Sequence, residues 1–118
     1  MRLSEKQRIF TKNVAKLIKF AYKNGYELTF GEAYRTREQQ LIYVQTGKSK
    51  TMNSMHLNRL AVDFNIFIDG QWNQNWNQIK PLGEFWITLH PNNRWGGDWN
   101  KNGIKDGFID TPHFEMKI

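Results

Sequence analysis

The sequence has no cysteine among its 118 residues. Disulfide bonds and thiolate metal sites are therefore excluded, and any transition metal must be held by imidazole and carboxylate groups. Long apolar runs are also missing, since no stretch approaches the roughly 20 consecutive apolar residues of a membrane-spanning helix. The N-terminal segment is amphipathic, so we expect a chain with neither a signal peptide nor a membrane span.

Acidic residues are the minority among the charges, with 11 Asp and Glu against 17 Lys and Arg and a net charge of +6. This balance favours a polyanionic partner such as nucleic acid, teichoic acid, lipopolysaccharide or peptidoglycan with free carboxylates. Charge alone does not choose among them, and a basic surface that serves only solubility fits equally well. The hydrophobic share of 39% excludes a disordered chain, and the length predicts a single domain over residues 1–118.

Apolar residues at helical spacing predict about three helices. The first is expected to run from a capping box at Ser4 to the stop at Asn24-Gly25, the second from a capping box at Thr36 to Gly47, and the third from Pro81 to His90-Pro91.

Alternating apolar and polar residues predict strands at residues 26–30, 61–68 and 113–118, and an edge strand after the turn at Asp69-Gly70. In the second and third of these strands, the polar face carries Asp63 and His113 respectively. If the two strands pair, these side chains meet above a sheet whose other face packs on helices. The fold class is therefore α+β, with a small antiparallel sheet and about three helices packed on one side.

Three side chains could hold a catalytic zinc ion on the polar face of that sheet, namely His56, Asp63 and His113. Catalytic zinc takes three protein ligands from His, Asp and Glu and leaves a fourth position for water. Any one of these residues taken singly is more often a cap, a turn residue or a surface group. The presence of all three residues together is what favours a zinc site.

Two motifs resemble a known enzyme superfamily. Ser54-Met55-His56-Leu57-Asn58-Arg59-Leu60-Ala61-Val62-Asp63 resembles the Ser-x-His-(x)6-Asp signature of the D-alanyl-D-alanine carboxypeptidases and L-alanyl-D-glutamate endopeptidases. Asp110-Thr111-Pro112-His113-Phe114-Glu115 resembles the acidic-x-x-His motif of the same superfamily. Joint matches with this spacing are far more specific than either motif alone.

Two further segments extend the resemblance. Ala33-Tyr34-Arg35-Thr36 is similar to the upstream arginine motif of the superfamily, and Trp95-Gly96-Gly97-Asp98-Trp99 resembles a segment of phage endolysins in the endopeptidase branch. The matches run in family order over most of the chain. There are two departures: Arg59 stands where glycine is frequent, and residues 100–109 look like an insertion.

The resemblance implies a role for each site residue. His56, Asp63 and His113 would bind zinc, which lowers the pKa of its bound water from 15.7 to roughly 7. Asp110 would be the base that accepts the proton of that water, and Arg35 would stabilise the oxyanion formed by attack. Taken without the resemblance, Asp110 could equally cap a turn before Pro112.

Ser54 is expected either to support the first metal ligand or to contact the substrate. Trp95 and Trp99 are expected to wall the substrate groove, although tryptophan more often lies in a core. His90 matches no motif and is interpreted as a helix-end residue.

The function that the resemblance implies is that of a zinc-dependent L-alanyl-D-glutamate endopeptidase, an endolysin that cleaves the stem peptide of bacterial peptidoglycan. We expect one catalytic domain without a separate cell-wall-binding domain, acting as a monomer. It would stay in the host cytoplasm until a holin releases it to the wall. The alternatives are a D,D-carboxypeptidase of the same superfamily and, from another class, a basic nucleic-acid-binding protein. No nucleic-acid motif supports the second alternative, so we expect no nucleic-acid partner.

The segment from Arg94 to Gly107 is rich in Gly, Asn and Asp and is expected to be an irregular loop. Part of it resembles the calcium-loop pattern D-x-N-x-N-G, with candidate Ca²⁺ ligands at Asp98, Asn100, Asn102 and Asp106. Ile109 stands where such a loop places its bidentate glutamate, and Asn-Gly turns are common without calcium. Both interpretations are compatible with the sequence.

Overall fold

A computed structural model describes the whole chain, residues 1–118, and has the expected α+β fold. Its helices are α1 (Leu3–Lys23), α2 (Arg37–Gln45) and α3 (Trp76–Thr88), and a single 3-10 turn covers Met55–Asn58. Its strands are β1 (Tyr26–Phe30), β2 (Ala61–Ile68), β3 (Gln71–Trp72), β4 (Asn93–Trp95) and β5 (His113–Met116). None of the helices combines the length and apolar content needed to cross a membrane.

The sheet is antiparallel throughout, with the strand order β1-β2-β5-β4 and with β3 paired to the end of β2. Strand β2 is central, because it pairs with both β1 and β5. In the register between β2 and β5, Asp63 lies directly opposite His113. The alternation of the two strands places both residues on polar faces, and the pairing on which their meeting depends is present and brings two candidate ligands together.

Helices α1 and α3 pack on each other and on the sheet around a core of aromatic and aliphatic side chains. Trp86 of α3 is fully buried and contacts the ring of Phe10 at 5.5 Å and that of Phe114 at 6.1 Å between centroids. Helix α2 differs, because its one buried side chain is Gln40, whereas Leu41 and Ile42 are exposed. The core therefore rests on two of the three helices.

The helix starts depart from expectation at two of three positions. Helix α1 begins at Leu3, ahead of the expected cap at Ser4, because the first turn closes on the carbonyl of Arg2 without a side-chain cap. Helix α2 begins as predicted, since the Thr36 side chain accepts a hydrogen bond of 3.1 Å from the amide of Gln39.

Helix α3 begins five residues before the expected start at Pro81. The Asn75 side chain caps it by accepting a hydrogen bond of 3.1 Å from the amide of Gln78. Pro81 then lies inside the helix, where its missing N–H removes one bond that would otherwise reach the carbonyl of Asn77. A strong cap upstream outweighs that single lost bond.

The expected irregular loop from Arg94 to Gly107 is wrong at its beginning. Residues 93–95 form strand β4, in which Arg94 pairs with Glu115 of β5. A three-residue strand is too short to show alternation, so its sequence gives no strand signal. The remainder, residues 100–108, is exposed and irregular.

Candidate metal centre and cleft

Three elements bring the candidate ligands together. His56 lies in the 3-10 turn, which Ser54 opens by accepting a hydrogen bond of 3.3 Å from the His56 amide. Asp63 lies on β2 and His113 on β5. One ligand atom from each residue lies within 4.8 Å of the others, and no other group of His, Cys, Asp and Glu in the structure forms such a set.

The turn that carries His56 ends at Arg59 in the left-handed conformation, with φ of 54°. Such a conformation favours glycine, which explains why a glycine is frequent at this place in the resembling motif. Here the guanidinium of Arg59 packs 4.1 Å from the ring centroid of Tyr34.

The two imidazoles are turned toward opposite oxygens of one carboxylate. Nδ1 of His113 lies 2.9 Å from Oδ1 of Asp63, and Nε2 of His56 lies 3.2 Å from Oδ2. The other nitrogen of His56, Nδ1, lies 2.9 Å from the carbonyl oxygen of Ala33, which fixes the ring with Nε2 toward Asp63. Two imidazole nitrogens and a carboxylate thus converge on one place.

The pKa values of Asp63 and His113 are set mainly by the hydrogen bonds and opposite charges of the cluster. Burial raises the pKa of Asp63, but hydrogen bonds from His113 and His56 outweigh it and hold the pKa well below its usual range. Burial lowers the pKa of His113, but hydrogen bonds to Asp63 and Glu115 outweigh it and raise the pKa to about 9. The donor set fits zinc, because a divalent cation can replace the proton that His113 otherwise keeps beside Asp63.

Glu115 is a site residue that sequence reasoning missed. Its Oε1 lies 2.7 Å from Nε2 of His113, and its Oε2 accepts a hydrogen bond of 2.8 Å from Nε of Arg94. Burial raises the pKa of Glu115, but the bonds from His113 and Arg94 outweigh it and lower the pKa. The available signal was the alternation of β5, which puts His113 and Glu115 on one face.

Asp110 lies three residues before His113 and lines the same cleft. Its amide donates to the carbonyl of Gly96 at 2.8 Å, and its own carbonyl accepts from the amide of His113 at 3.1 Å. Burial raises the pKa of the Asp110 carboxyl, and the nearby charge of His113 offsets only part of that rise. A raised pKa makes the carboxylate a better proton acceptor near neutral pH.

The first glycine of the Trp95-Gly96-Gly97 segment is required by a close backbone contact. A Cβ atom at this position would lie 2.1 Å from the carbonyl oxygen of Asp110, closer than any side chain allows. The chain that carries Asp110 can therefore lie against the end of β4 only because residue 96 has no side chain.

Trp95 does not wall the groove, which corrects the expectation of a substrate contact. It is 1% exposed, packs against Gly83 and Gly97, and donates from Nε1 to the carbonyl of Thr111 at 2.8 Å. The whole indole ring is packed in the core, so no part of it is available to a substrate. Trp95 supports the site through its hydrogen bond to Thr111, which lies two residues before His113. Trp99 does line the cleft, with its ring centroid 5.4 Å from that of His113.

Arg35 is fixed at the cleft by several side chains that sequence reasoning did not assign. The guanidinium forms an ion pair with Glu32, donates to Oε1 of Gln40 at 2.7 Å and to Oγ of Ser54 at 3.3 Å. It also lies 4.6 Å from the ring centroid of Tyr43. Ser54 therefore contacts both Arg35 and the amide of His56, in keeping with a supporting role.

The cleft has a volume of about 470 Å³ and brings the candidate residues into one space. It is lined by Arg35, Ser54, His56, Asp63, Asp110 and His113, together with loop residues that include Lys48, Lys50, Trp99 and Phe108. This size suits a short stretch of peptide.

The expected calcium loop is closed by its own hydrogen bonds. Both carboxylate oxygens of Asp98 accept backbone amides, from Asn102 at 3.1 Å and from Gly103 at 2.8 Å. The side chain of Asn102 donates to Asp106 at 3.1 Å, and Asn100 is exposed. These contacts are those of a hydrogen-bonded turn and give the calcium expectation no support.

Comparison with known proteins gives a consistent relationship. The family described as phage L-alanyl-D-glutamate peptidase matches residues 2–117. The L-alanyl-D-glutamate peptidase of Listeria phage A118 is 34% identical over 104 residues, which are 86% of this chain and 34% of that protein. The chain thus spans about a third of the length of this curated relative.

Two solved structures share the fold. The Serratia marcescens L-Ala D-Glu endopeptidase ChiX superposes with a TM-score of 0.66 at 24% identity, covering 99% of this chain and 87% of that one. A variant of the vancomycin-resistance D,D-pentapeptidase VanY, from a VanB-type resistance cassette and in complex with Zn(II), has a TM-score of 0.58 at 22% identity. That match covers 91% of this chain and 70% of the other.

Proposed function

The chain belongs to the phage L-alanyl-D-glutamate peptidase family, and from that premise we propose that it is a zinc-dependent peptidoglycan hydrolase. It would cut the bond between L-alanine and D-glutamate in the stem peptide of the bacterial cell wall, as an endolysin. The observation that carries the proposal is the single cleft that His56, Asp63, His113, Asp110 and Arg35 line together.

His56, Asp63 and His113 would hold the zinc ion, through Nε2 of His56, the carboxylate of Asp63 and Nδ1 of His113. Bound there, zinc would supply a Lewis acid that activates water and polarises the substrate carbonyl. The carbonyl of Ala33 and the carboxylate of Glu115 keep the two imidazoles turned toward this position.

Asp110 would accept the proton of the attacking water and deliver it to the leaving nitrogen of the D-glutamyl residue. Two features support this role: burial raises the pKa of its carboxyl, and its backbone is held by Gly96 and His113. A base fixed in this way needs little reorganisation when the proton moves.

Arg35 would stabilise the oxyanion that develops on the carbonyl oxygen of the cut bond. Its pairing with Glu32 and Gln40 holds the guanidinium in one orientation at the cleft. A fixed donor aimed at a developing charge is worth about 3 kcal/mol in related sites. Ser54 would position Arg35 and His56 and contact the substrate.

The site of action would be the cell wall, which the enzyme reaches from the host cytoplasm after a separate holin has opened the membrane. The membership in a phage family supports this proposal, and the net charge of +6 suits a wall rich in carboxylates.

The test is digestion of purified bacterial sacculi with metal-stripped and zinc-reloaded protein. We expect new amino groups to appear only after zinc is restored. Parallel incubation with DNA separates the alternative of a basic nucleic-acid enzyme. Zinc-loaded protein that leaves sacculi intact, or that degrades DNA instead, would contradict the proposal.

A further inference from the structure

Glu115 is a buried carboxylate whose two oxygens serve different partners. It is 4% exposed, its Oε1 lies 2.7 Å from Nε2 of His113, and its Oε2 accepts a hydrogen bond of 2.8 Å from Nε of Arg94. A buried carboxylate is costly unless it is paired and hydrogen-bonded. Both oxygens of Glu115 meet that requirement, and each does so through a group at the cleft.

We propose that Glu115 is a positioning residue for His113 and that Arg94 in turn holds Glu115. The inference rests on the proposed function in one respect, that His113 is a zinc ligand. Because Nδ1 of His113 faces Asp63, Nδ1 would be the atom that holds the metal, and Nε2 would then carry the proton. Glu115 accepts the hydrogen bond from that N–H, which selects the tautomer and fixes the plane of the ring.

The sheet builds this arrangement across adjacent strands. Arg94 of β4 and Glu115 of β5 are direct cross-strand partners, and Asp63 of β2 is the partner of His113. The register of the sheet therefore sets a chain of contacts that runs across three strands. It leads from Arg94 to Glu115, from Glu115 to His113 and from His113 to Asp63. Since Arg94 is 30% exposed at the side chain, it can be replaced without opening the core.

The two imidazoles are positioned by different means. Nδ1 of His56 lies against a backbone carbonyl, that of Ala33, whereas Nε2 of His113 lies against a carboxylate. A carboxylate makes its imidazole a stronger donor to a metal than a neutral carbonyl does. The metal affinity of the site should therefore depend on one replaceable side chain beside His113.

The experiment measures zinc affinity by chelator competition in purified protein without any wall substrate. Glu115→Ala should lower the affinity about 10–100-fold, the usual cost of losing such a partner. Glu115→Gln should lose less, because its amide oxygen still accepts from Nε2, and Arg94→Lys should recover part of the loss seen in Arg94→Ala. Glu84→Gln is the matched control, since Glu84 is exposed on α3 and should leave the affinity unchanged.

Cobalt substitution adds a readout that a merely structural role would not move. The absorption spectrum of bound cobalt should change in Glu115→Ala and stay as in the wild type in Glu84→Gln. A folded Glu115→Ala protein with wild-type zinc affinity and cobalt spectrum would overturn the inference. If Glu115→Ala does not fold, Glu115→Gln decides, because the amide keeps the acceptor but loses the negative charge that strengthens His113 as a ligand. A loss of affinity supports positioning by the carboxylate, and an unchanged affinity overturns it. Because no substrate is involved, this outcome is independent of whether the enzyme cuts peptidoglycan.

Discussion

The two sides of the cleft are built differently. On the sheet side, His113 and Glu115 are buried, and cross-strand register and paired charges fix them together with Asp63. On the loop side, Lys48 and Lys50 are exposed, and neither takes part in an ion pair.

The exposed side chains of the loop side make weaker contacts than those of the sheet side. Lys50 lies 5.6 Å from the ring centroid of Phe108, itself 56% exposed, on the segment that looks like an insertion. Metal chemistry requires ligands held within fractions of an ångström, which regular structure supplies. Substrate recognition tolerates loops, which vary more easily. Under the proposed function, the sheet side would set the reaction and the loop side would set how well a given wall peptide binds.

Replacing Asp110 by Asn should have the largest effect among the variants that keep the sheet intact. An amide cannot accept the proton, so kcat should fall by roughly 10²–10⁴ while zinc remains bound. Metal analysis and steady-state kinetics on a soluble wall peptide measure both quantities. Loss of zinc from a folded Asp110→Asn protein would instead make Asp110 a ligand.

The pH dependence of zinc binding probes the sheet side directly. The pKa of His113 is raised from 6.5 to about 9, so in the metal-free protein this residue is protonated at pH 7 and must lose a proton when zinc binds. Apparent zinc affinity should therefore rise about tenfold per pH unit between pH 6 and 8 from this group alone. Calorimetry in buffers of different ionisation enthalpy should count about one released proton at pH 7. Binding without proton release would contradict a protonated His113 in the metal-free protein that becomes a zinc ligand.

The raised pKa of His113 also makes the stability of the metal-free protein depend on pH. Because the folded pKa of His113 lies above its ordinary value, the stabilisation from its pairing with Asp63 and Glu115 is fully present below about pH 6.5. It is lost as the pH rises through about 9.

Changes on the loop side should be smaller and of a different kind. Lys48→Ala with Lys50→Ala should raise KM by a few-fold, since exposed charge contacts are worth about 0.2–1 kcal/mol each. The zinc affinity and kcat should stay unchanged, and the increase in KM should shrink at high salt. Lys117→Ala, an exposed lysine outside the cleft lining, is the matched control. A fall in kcat or in zinc affinity would mean that the two sides are not separable.

The sheet side was largely predictable from sequence, because alternation and motif spacing are local signals. The alternation of residues 61–68 and 113–118 correctly placed Asp63 and His113 on polar faces, and the pairing of the two strands then sets them opposite each other. What escaped prediction depends on contacts between distant segments. Strand β4 is too short to show a period, so the pairing of Arg94 with Glu115 had no local signal.

The surroundings of Trp95 and Arg35 also depend on contacts between distant segments, which the sequence does not reveal. The burial of Trp95 requires the glycine at position 83 of α3, because a Cβ there would lie 2.1 Å from the indole ring. Nothing in the Trp-Gly-Gly motif reveals that partner. The motif around Arg35 predicted its presence at the site, whereas its contact with Ser54 spans 19 residues and appears only in the fold. Long-range packing decides which motif residues face the cleft and which support it.

The most direct test of the central claim is mass spectrometry of the fragments that the zinc-loaded enzyme releases from purified peptidoglycan. The account predicts fragments with a new amino terminus on D-glutamate and a matching loss of peptide from L-alanine. Release of terminal D-alanine with the L-alanyl-D-glutamate bond intact would contradict it and identify a D,D-carboxypeptidase instead.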